Sequence, residues 1–166
     1  MKNFVKEGQK LPLYGIGPYI VCGMTAVTII GIVLFYYALK TGILEGFWLL
    51  FFRITGGVLI ALGLAVWFMG ALGSDMDKNI AENQLKTDGI YAWVRNPMYS
   101  GWWILLFGFS LMWHNAWLLI TPVVNWSIMT MVLKCTEEKW LRDLYSDEYI
   151  RYLEKVNRCI PWKRRR

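Results

Sequence analysis

The chain has 166 residues, 56% of them apolar, and a formal net charge of +6 at pH 7. Ordinary soluble domains are about 45–50% apolar, so the composition argues against that class, while the length suits one domain. The three cysteines and the single histidine lack the spacing of a zinc site, a disulfide framework or a His-based triad, so we predict no metal site.

Two stretches in the first half predict membrane-spanning helices. Residues 17–39 carry no charge, and as a helix they would be about 35 Å long, enough to cross a hydrocarbon core. Residues 47–72 are interrupted only by Arg53, which lies near one end, where its side chain can extend to the interface. We therefore expect residues 1–75 to form an N-terminal transmembrane part.

The apolar stretch from Met98 to Leu133 predicts a helical hairpin, because it is too long for one span and short for two complete spans with a loop. It is broken at residues 113–115, so we place Asn115 near the tip, with His114 as a polar tip residue and arms of about 16 to 18 residues. Pro122 should kink the second arm or mark its start. The fold predicted is an all-α integral membrane protein with about four transmembrane helices.

The distribution of Lys and Arg predicts the orientation in the membrane. The N-terminal tail, residues 73–96 and the chain from Lys134 onwards hold 16 of the 18 basic residues. Four spans would put all three regions on one side, and Lys and Arg favour the cytoplasmic side. We therefore expect cytoplasmic termini and a cytoplasmic site. Basic residues clustered at the ends of an apolar chain indicate contact with membrane lipids and not with nucleic acid.

Polar and aromatic residues are concentrated at the start of the hairpin, in residues 88–103, "DGIYAWVRNPMYSGWW". Asp88-Gly89 predicts a turn. Pro97 suits the first position of a helix, which makes Asn96 the expected N-cap. The free N–H groups of such a helix start can bind an anion.

Residues 134–162 predict a helix that leaves the hairpin and continues outside the membrane. Glu137 and Glu138 lie at the lipid boundary, and neighbouring helical side chains point about 100° apart, so we expect the two acids to have different roles. Ser146, followed by two acidic residues, predicts a helix restart. Helically spaced apolar residues between charges predict an amphipathic C-terminal helix.

The ordered set "GIYAWVRNPMYSGWW", a hairpin, "EE" and "DEYIRYLEKV" resembles the isoprenylcysteine carboxyl methyltransferases and the related phospholipid methyltransferases. The resemblance covers about residues 76–162. It implies a cofactor-binding core over residues 76–166 that uses S-adenosyl-L-methionine and releases S-adenosyl-L-homocysteine. It also implies an integral membrane enzyme, and the compact chain favours a bacterial or archaeal cell membrane.

The same resemblance implies the residues that hold the cofactor, and it assigns no catalytic residue. Gly89, Tyr91 and Arg95 match the first half of the family's motif, and the paired acids match Glu137 and Glu138. The full set implied is Asn83, Gln84, Leu85, Lys86, Gly89, Tyr91, Arg95, Asn96, Pro97, Met98, Tyr99, Glu137 and Glu138. The resemblance implies that the carboxylates bind the ammonium or ribose groups of the cofactor and that the tyrosine rings pack on its adenine or its sulfonium.

Three positions depart from the family pattern. Asn96 stands where the family usually has His, and an amide cannot take a proton. Asn157 replaces a Pro, and Leu133 stands where the eukaryotic carboxyl methyltransferases have a substrate-binding Arg. The expected acceptor is a lipophilic small molecule or a lipid-modified one, methylated on a carboxylate. N-methylation of an amine or phospholipid, and a non-catalytic protein that retains the fold, stay open as alternatives.

Overall fold

The computed structural model describes residues 16–73 and 85–160, and within these ranges all regular structure is helical. The helices are α1 (Gly17–Ile32), α2 (Gly46–Leu72), α3 (Pro97–Met112), α4 (Ile120–Cys135) and α5 (Glu137–Lys155). A π-helical segment, Val33–Ala38, extends α1, and short 3₁₀ turns at Gly89–Ala92 and Ala116–Leu119 precede α3 and α4. The all-α prediction is confirmed.

Three helical stretches are long and apolar enough to cross a membrane: Gly17–Ala38, Gly46–Leu72 and Ala116–Cys135. They match the two predicted N-terminal spans and the return arm of the hairpin. α3 has 16 residues, or about 24 Å at 1.5 Å per residue, which is shorter than a hydrocarbon core of about 30 Å. The fourth crossing therefore stays a prediction.

The hairpin between α3 and α4 forms as predicted, and its tip packs onto the connection between α1 and α2. Pro122 is the third residue of α4 and thus marks its start. Asn115 is buried; its Nδ2 donates to the carbonyl of Thr41 at 2.8 Å, and its Oδ1 accepts from the backbone N–H of Trp117 at 2.9 Å. His114 is buried as well. These tip residues therefore hold two loops together, although we expected His114 to be a simple polar tip.

α2 and α3 pack against each other through glycines spaced seven residues apart. A Cβ atom on Gly63 would lie 2.5 Å from the backbone nitrogen of Leu105, and one on Gly101 would lie 2.5 Å from that of Trp67. Gly56 and Gly108 meet in the same way one heptad further along, where a Cβ would lie 2.6–2.7 Å from the opposite carbonyl oxygen. Small residues let helix backbones approach closely in membranes. The glycine of the motif segment, Gly101, thus has a packing role.

Polar side chains join the remaining helices of the bundle. Asn125 Nδ2 on α4 donates to Thr28 Oγ1 on α1 at 2.9 Å, and Trp102 Nε1 on α3 donates to Thr25 Oγ1 at 3.1 Å. Trp103 Nε1 donates to the carbonyl of Pro122 at 2.8 Å, which ties the two hairpin arms. Such interhelical hydrogen bonds are worth roughly 0.6–2 kcal/mol each within a membrane.

α5 is broken where the sequence predicted a restart. Ser146 has φ 45° and ψ −119°, which are not helical, while the residues on both sides are helical. The second arm carries the buried Tyr149 and Tyr152, which pack with Val156, just after the helix, in a small apolar cluster. The helix and its break are confirmed, whereas its amphipathic contact with the membrane surface stays a prediction.

A matched pair of glycine variants in α2 tests the close packing of α2 against α3. Gly63→Ala should lower the thermal unfolding midpoint in detergent, because its Cβ meets backbone atoms that cannot rotate away, and overpacking typically costs about 1–3 kcal/mol. Gly57→Ala is the control, since nothing lies within 4 Å of its Cβ, and it should be neutral or gain up to about 1 kcal/mol of helix propensity. Equal midpoints for the two variants would contradict the packing described.

Candidate functional site

The segment before α3 lies alongside the chain that follows α5. Gly89 has φ +56° and begins a 3₁₀ turn, so the predicted turn at Asp88-Gly89 is confirmed. The backbone N–H of Arg95 then donates to the carbonyl of Asn157 at 2.9 Å, and that of Asn96 donates to the carbonyl of Arg158 at 3.0 Å. These bonds bring the motif segment and the C-terminal segment, which are far apart in sequence, into one site.

Asn96 lies at the N-cap position of α3 with Pro97 at the first helical position, as predicted, but its side chain does not cap the helix. Its Nδ2 instead donates to the carbonyl of Arg158 at 3.2 Å. The backbone N–H and the side chain of Asn96 therefore share one acceptor. The predicted side-chain cap is wrong, because the nearby C-terminal segment offers the amide a carbonyl partner.

Glu138 forms the charged centre of the site. Its carboxylate is 4% exposed and accepts two hydrogen bonds from the Arg158 guanidinium, from Nε at 2.5 Å and from Nη2 at 2.9 Å. Arg95 Nη2 lies 3.3 Å from Glu138 Oε1. Burial raises the pKa of Glu138, but the hydrogen bonds from Arg158 and the charges of Arg95, Arg158 and Arg142 outweigh it and hold that pKa below its ordinary value.

Arg95 keeps unused donors in this cluster. Its side chain is 8% exposed, and its Nε and Nη1 have no hydrogen-bond partner among the described residues. Two guanidinium groups facing one carboxylate also leave an excess of one positive charge in a buried place. A buried cation with unpaired donors is costly unless an anion binds it, so this end of the molecule is suited to an anionic group.

Glu137 contacts different partners from those of Glu138, as their adjacent helical positions predicted. Tyr99 Oη on α3 donates to Glu137 Oε1 at 2.6 Å. Burial raises the pKa of Glu137 above its ordinary value, although the hydrogen bonds from Tyr99 and from the backbone of Ile16 act in the opposite direction. Glu137 thus joins the starts of α1, α3 and α5.

Tyr91 of the motif segment is buried between α2 and the second arm of α5. Tyr91 donates from Oη to the carbonyl of Gly70 at 3.3 Å, and its own carbonyl accepts a 2.6 Å hydrogen bond from Tyr152 Oη. Burial, followed by the charge of Glu137, raises the pKa of Tyr91 to about 12. Leu85 packs against the cluster of Tyr149 and Tyr152. These contacts fix the path of the motif segment.

The other predicted residues lie at the edge of this site or outside the described part of the chain. Lys86 Nζ pairs with the exposed Asp88 at 3.1 Å, and Met98 packs against Gly70 of α2. Asn83 and Gln84 lie outside the described residues.

Sequence reasoning missed Arg158, which makes the shortest polar contact with Glu138. The residue lies beyond α5, in a stretch without helical spacing, and only the pairing of residues 94–96 with residues 157–158 brings it to the carboxylate. In the sequence Arg158 is only an isolated Arg three residues before a Pro, and this pattern does not indicate an ion pair with Glu138.

The variant Glu138→Gln tests how far the cluster stabilises the fold. Removing one partner of a buried pair costs about 3–5 kcal/mol, so the variant should be markedly less stable than the parent protein at pH 7. Because the pKa of Glu138 is lower in the folded state, its ionised carboxylate stabilises the folded protein at pH values above its ordinary pKa of 4.5. That stabilisation is lost as the pH falls through the pKa of the folded state. The difference between parent and variant should therefore shrink below about pH 4.5.

The control is Glu148→Gln, which removes an exposed carboxylate from the same helix and should change stability by less than about 0.5 kcal/mol. Thermal unfolding in detergent from pH 3 to pH 8 measures all three proteins. A constant difference between Glu138→Gln and the parent across that range would contradict the proposed ionisation of Glu138.

Comparisons with known proteins identify methyltransferases as relatives of this chain. Two matched relatives are named Protein-S-isoprenylcysteine O-methyltransferase, from Schizosaccharomyces pombe (35% identical over 85 residues) and Saccharomyces cerevisiae (34% over 88 residues). A third is named Methanethiol S-methyltransferase 1, from Bradyrhizobium diazoefficiens (33% over 87 residues). The matches cover 51–52% of this chain and 30–36% of the relatives, so the chain spans about a third of their length. No solved structure matches significantly.

The profile of one protein family, described as Phospholipid methyltransferase, matches residues 47–148. The match includes α2, the motif segment, the hairpin, both paired acids and the break in α5. Because it covers more than half of the chain, the protein belongs to the phospholipid methyltransferase family.

Proposed function

We propose that the protein is an S-adenosyl-L-methionine-dependent membrane methyltransferase that methylates a carboxylate on a lipid-like or isoprenoid-bearing acceptor. Family membership and the methyltransferase names of all three relatives support the reaction class. The observation that carries the proposal is the buried side chain of Arg95, held beside Glu138 just before α3, with two donor atoms that no residue in the described part of the chain pairs. A membrane anchor has no need of such a group.

The residues of the site fit the charges of the cofactor. S-adenosyl-L-methionine has one carboxylate, an ammonium and a sulfonium, and the unpaired donors of Arg95 would bind the carboxylate. Glu138 has both oxygens engaged with Arg158, so we assign it the role of fixing Arg95. Glu137 and Tyr99 would provide the acceptor and aromatic groups that face the cationic part. In this proposal residues 76–166 form the catalytic core and residues 1–75 its membrane support.

Methyl transfer to a carboxylate depends on the relative positions of cofactor and acceptor more than on proton transfer by the protein. The bound cofactor would supply a methyl group on a sulfonium, which an in-line nucleophile can attack. Correct placement alone can lower such a barrier by about 7–11 kcal/mol. A carboxylate with a reference pKa near 4 is already ionised at pH 7 and needs no base. Asn96, which cannot take a proton, is compatible with this reaction.

A second candidate is N-methylation of an amine on a lipid, which fits the name of the matched family. An ammonium group must lose a proton before it can attack a methyl group. Glu137, whose pKa is raised by burial, is a group at this site able to accept that proton. This observation keeps amine methylation as the alternative acceptor chemistry.

A labelled-methyl assay on the purified full chain separates these reactions. With an isoprenylated cysteine, a phosphatidylethanolamine and a short-chain thiol as acceptors, we expect transfer to the carboxylate, giving a methyl ester that alkali releases as methanol. Label that survives alkali on the aminolipid would favour N-methylation instead. Cofactor binding with no transfer to any of the three acceptors or to a lipid extract would favour a non-catalytic protein.

We further propose that α3 completes a fourth crossing and that both termini and the candidate site face the cytoplasm. The concentration of Lys and Arg in the regions before α1, between α2 and α3, and after α4 supports this orientation. The cell membrane of a bacterium or archaeon is the proposed location.

Cysteine labelling in intact cells tests the orientation. After replacement of the exposed Cys22 and Cys135, a cysteine at Thr87 and one at Lys155 should both be protected from a membrane-impermeant reagent. A cysteine at Thr41, in the connection between α1 and α2, should react. Opposite labelling of Thr87→Cys and Lys155→Cys would contradict the shared side.

A further inference from the structure

A concave site lies where α4 meets α5. A cavity of about 410 Å³ is lined by Lys134, Lys139, Arg142, Arg158 and Glu138. This volume lies in the range of sites that hold small molecules. None of residues 85–103, which include the motif segment, lines it. The cavity therefore shares Glu138 and Arg158 with the charged cluster of the candidate site, while its other three lining residues lie outside that cluster.

The cavity carries a surplus of positive charge. Arg158 and Arg95 both face the one carboxylate, Glu138, and together exceed its charge by one. Lys134, Lys139 and Arg142 are exposed, and within the described part of the chain none of the three forms an ion pair. Three uncompensated cations around one concave surface attract an anion far more strongly than the same charges spread over a convex one.

The position of the cavity indicates the source of the anion. Lys134 is in the last turn of α4, one residue before the end of the candidate span Ala116–Cys135. Lys139 and Arg142 follow three residues apart on α5, on one face of the helix. The exposed Trp140 lies between them in sequence, and tryptophan is enriched at the level of lipid head groups. The cations thus gather where the membrane surface begins.

We propose that this cavity binds the phosphate of an anionic membrane lipid. Arg and Lys are the side chains that bind phosphate oxygens through charge-assisted hydrogen bonds, and anionic head groups are the phosphates found at this depth. The lipid would be a resident of the surrounding bilayer, bound beside the α4–α5 junction whether or not an acceptor or cofactor is present. This inference does not rest on the proposed methyl transfer.

Lipid titration of the full chain in neutral detergent tests the proposal. Short-chain phosphatidylglycerol should raise the thermal unfolding midpoint as it saturates the site, and zwitterionic phosphatidylcholine should do so much more weakly, because its choline cation faces the same basic groups. The double variant Lys134→Ala/Lys139→Ala should bind phosphatidylglycerol roughly 25-fold more weakly, at about fivefold per cation lost. Lys134→Arg/Lys139→Arg should bind as the parent does.

The matched control is Arg151→Ala/Lys155→Ala, which also removes two exposed cations from the α5 region but none that lines the cavity. This variant should retain the affinity of the parent. If both double variants bound phosphatidylglycerol equally weakly, the loss would be due to the lower net charge of the protein, and the proposed binding site would be wrong. Equal affinities of parent and Lys134→Ala/Lys139→Ala would also overturn it.

Two further measurements identify the ligand. If inorganic phosphate binds as tightly as phosphatidylglycerol, the anion is a soluble one and the lipid assignment is wrong. If Lys134→Ala/Lys139→Ala loses binding of S-adenosyl-L-methionine together with lipid binding, the cavity is the cofactor site and the lipid proposal fails. Loss of lipid binding with unchanged cofactor affinity is the result we expect, and it can be measured without any methyl acceptor.

Discussion

The polar end of this molecule depends on one buried carboxylate, that of Glu138. It joins the start of α5, the segment before α3 and the chain after α5, which are separate in sequence. A carboxylate removed from water costs several kcal/mol unless it is paired and hydrogen-bonded, and here two guanidinium groups satisfy it. The same pairing fixes Arg95 in a buried position, where its Nε and Nη1 have no hydrogen-bond partner among residues 16–73 and 85–160. Stability and a binding capacity thus arise from the same contact.

The glycine contact between α2 and α3 fixes the position of the charged residues at the start of α3 relative to α2. Gly63 and Gly101 hold the two helix backbones so close that α3 cannot slide or rotate without a clash. The position of α3 in turn sets the position of Arg95 and Asn96 at its start and of Tyr99 one turn further on. A rigid apolar support that presents a few charged groups at one end is what a transfer reaction at the membrane surface requires.

Much of this arrangement could be predicted from the sequence, for local reasons. Apolar stretches of sufficient length predicted α1 and α2, the polar interruption at residues 113–115 predicted the hairpin, and Ser146 predicted the break in α5. What failed depended on contacts between distant segments. The Asn96 amide has a carbonyl of Arg158 as its partner, and no local pattern indicates that residue 158 lies beside residue 96. The role of Arg158 itself was missed for the same reason.

The central claim is that Arg95 binds the carboxylate of the methyl donor, and binding of two related ligands tests it most directly. Isothermal titration calorimetry in detergent would compare S-adenosyl-L-methionine with its decarboxylated analogue on the parent protein and on Arg95→Met. The parent should prefer the complete cofactor by about 10- to 150-fold, since a hydrogen bond to a charged group is worth roughly 1.5–3 kcal/mol, and Arg95→Met should lose most of that preference. The same preference in both proteins would contradict the account.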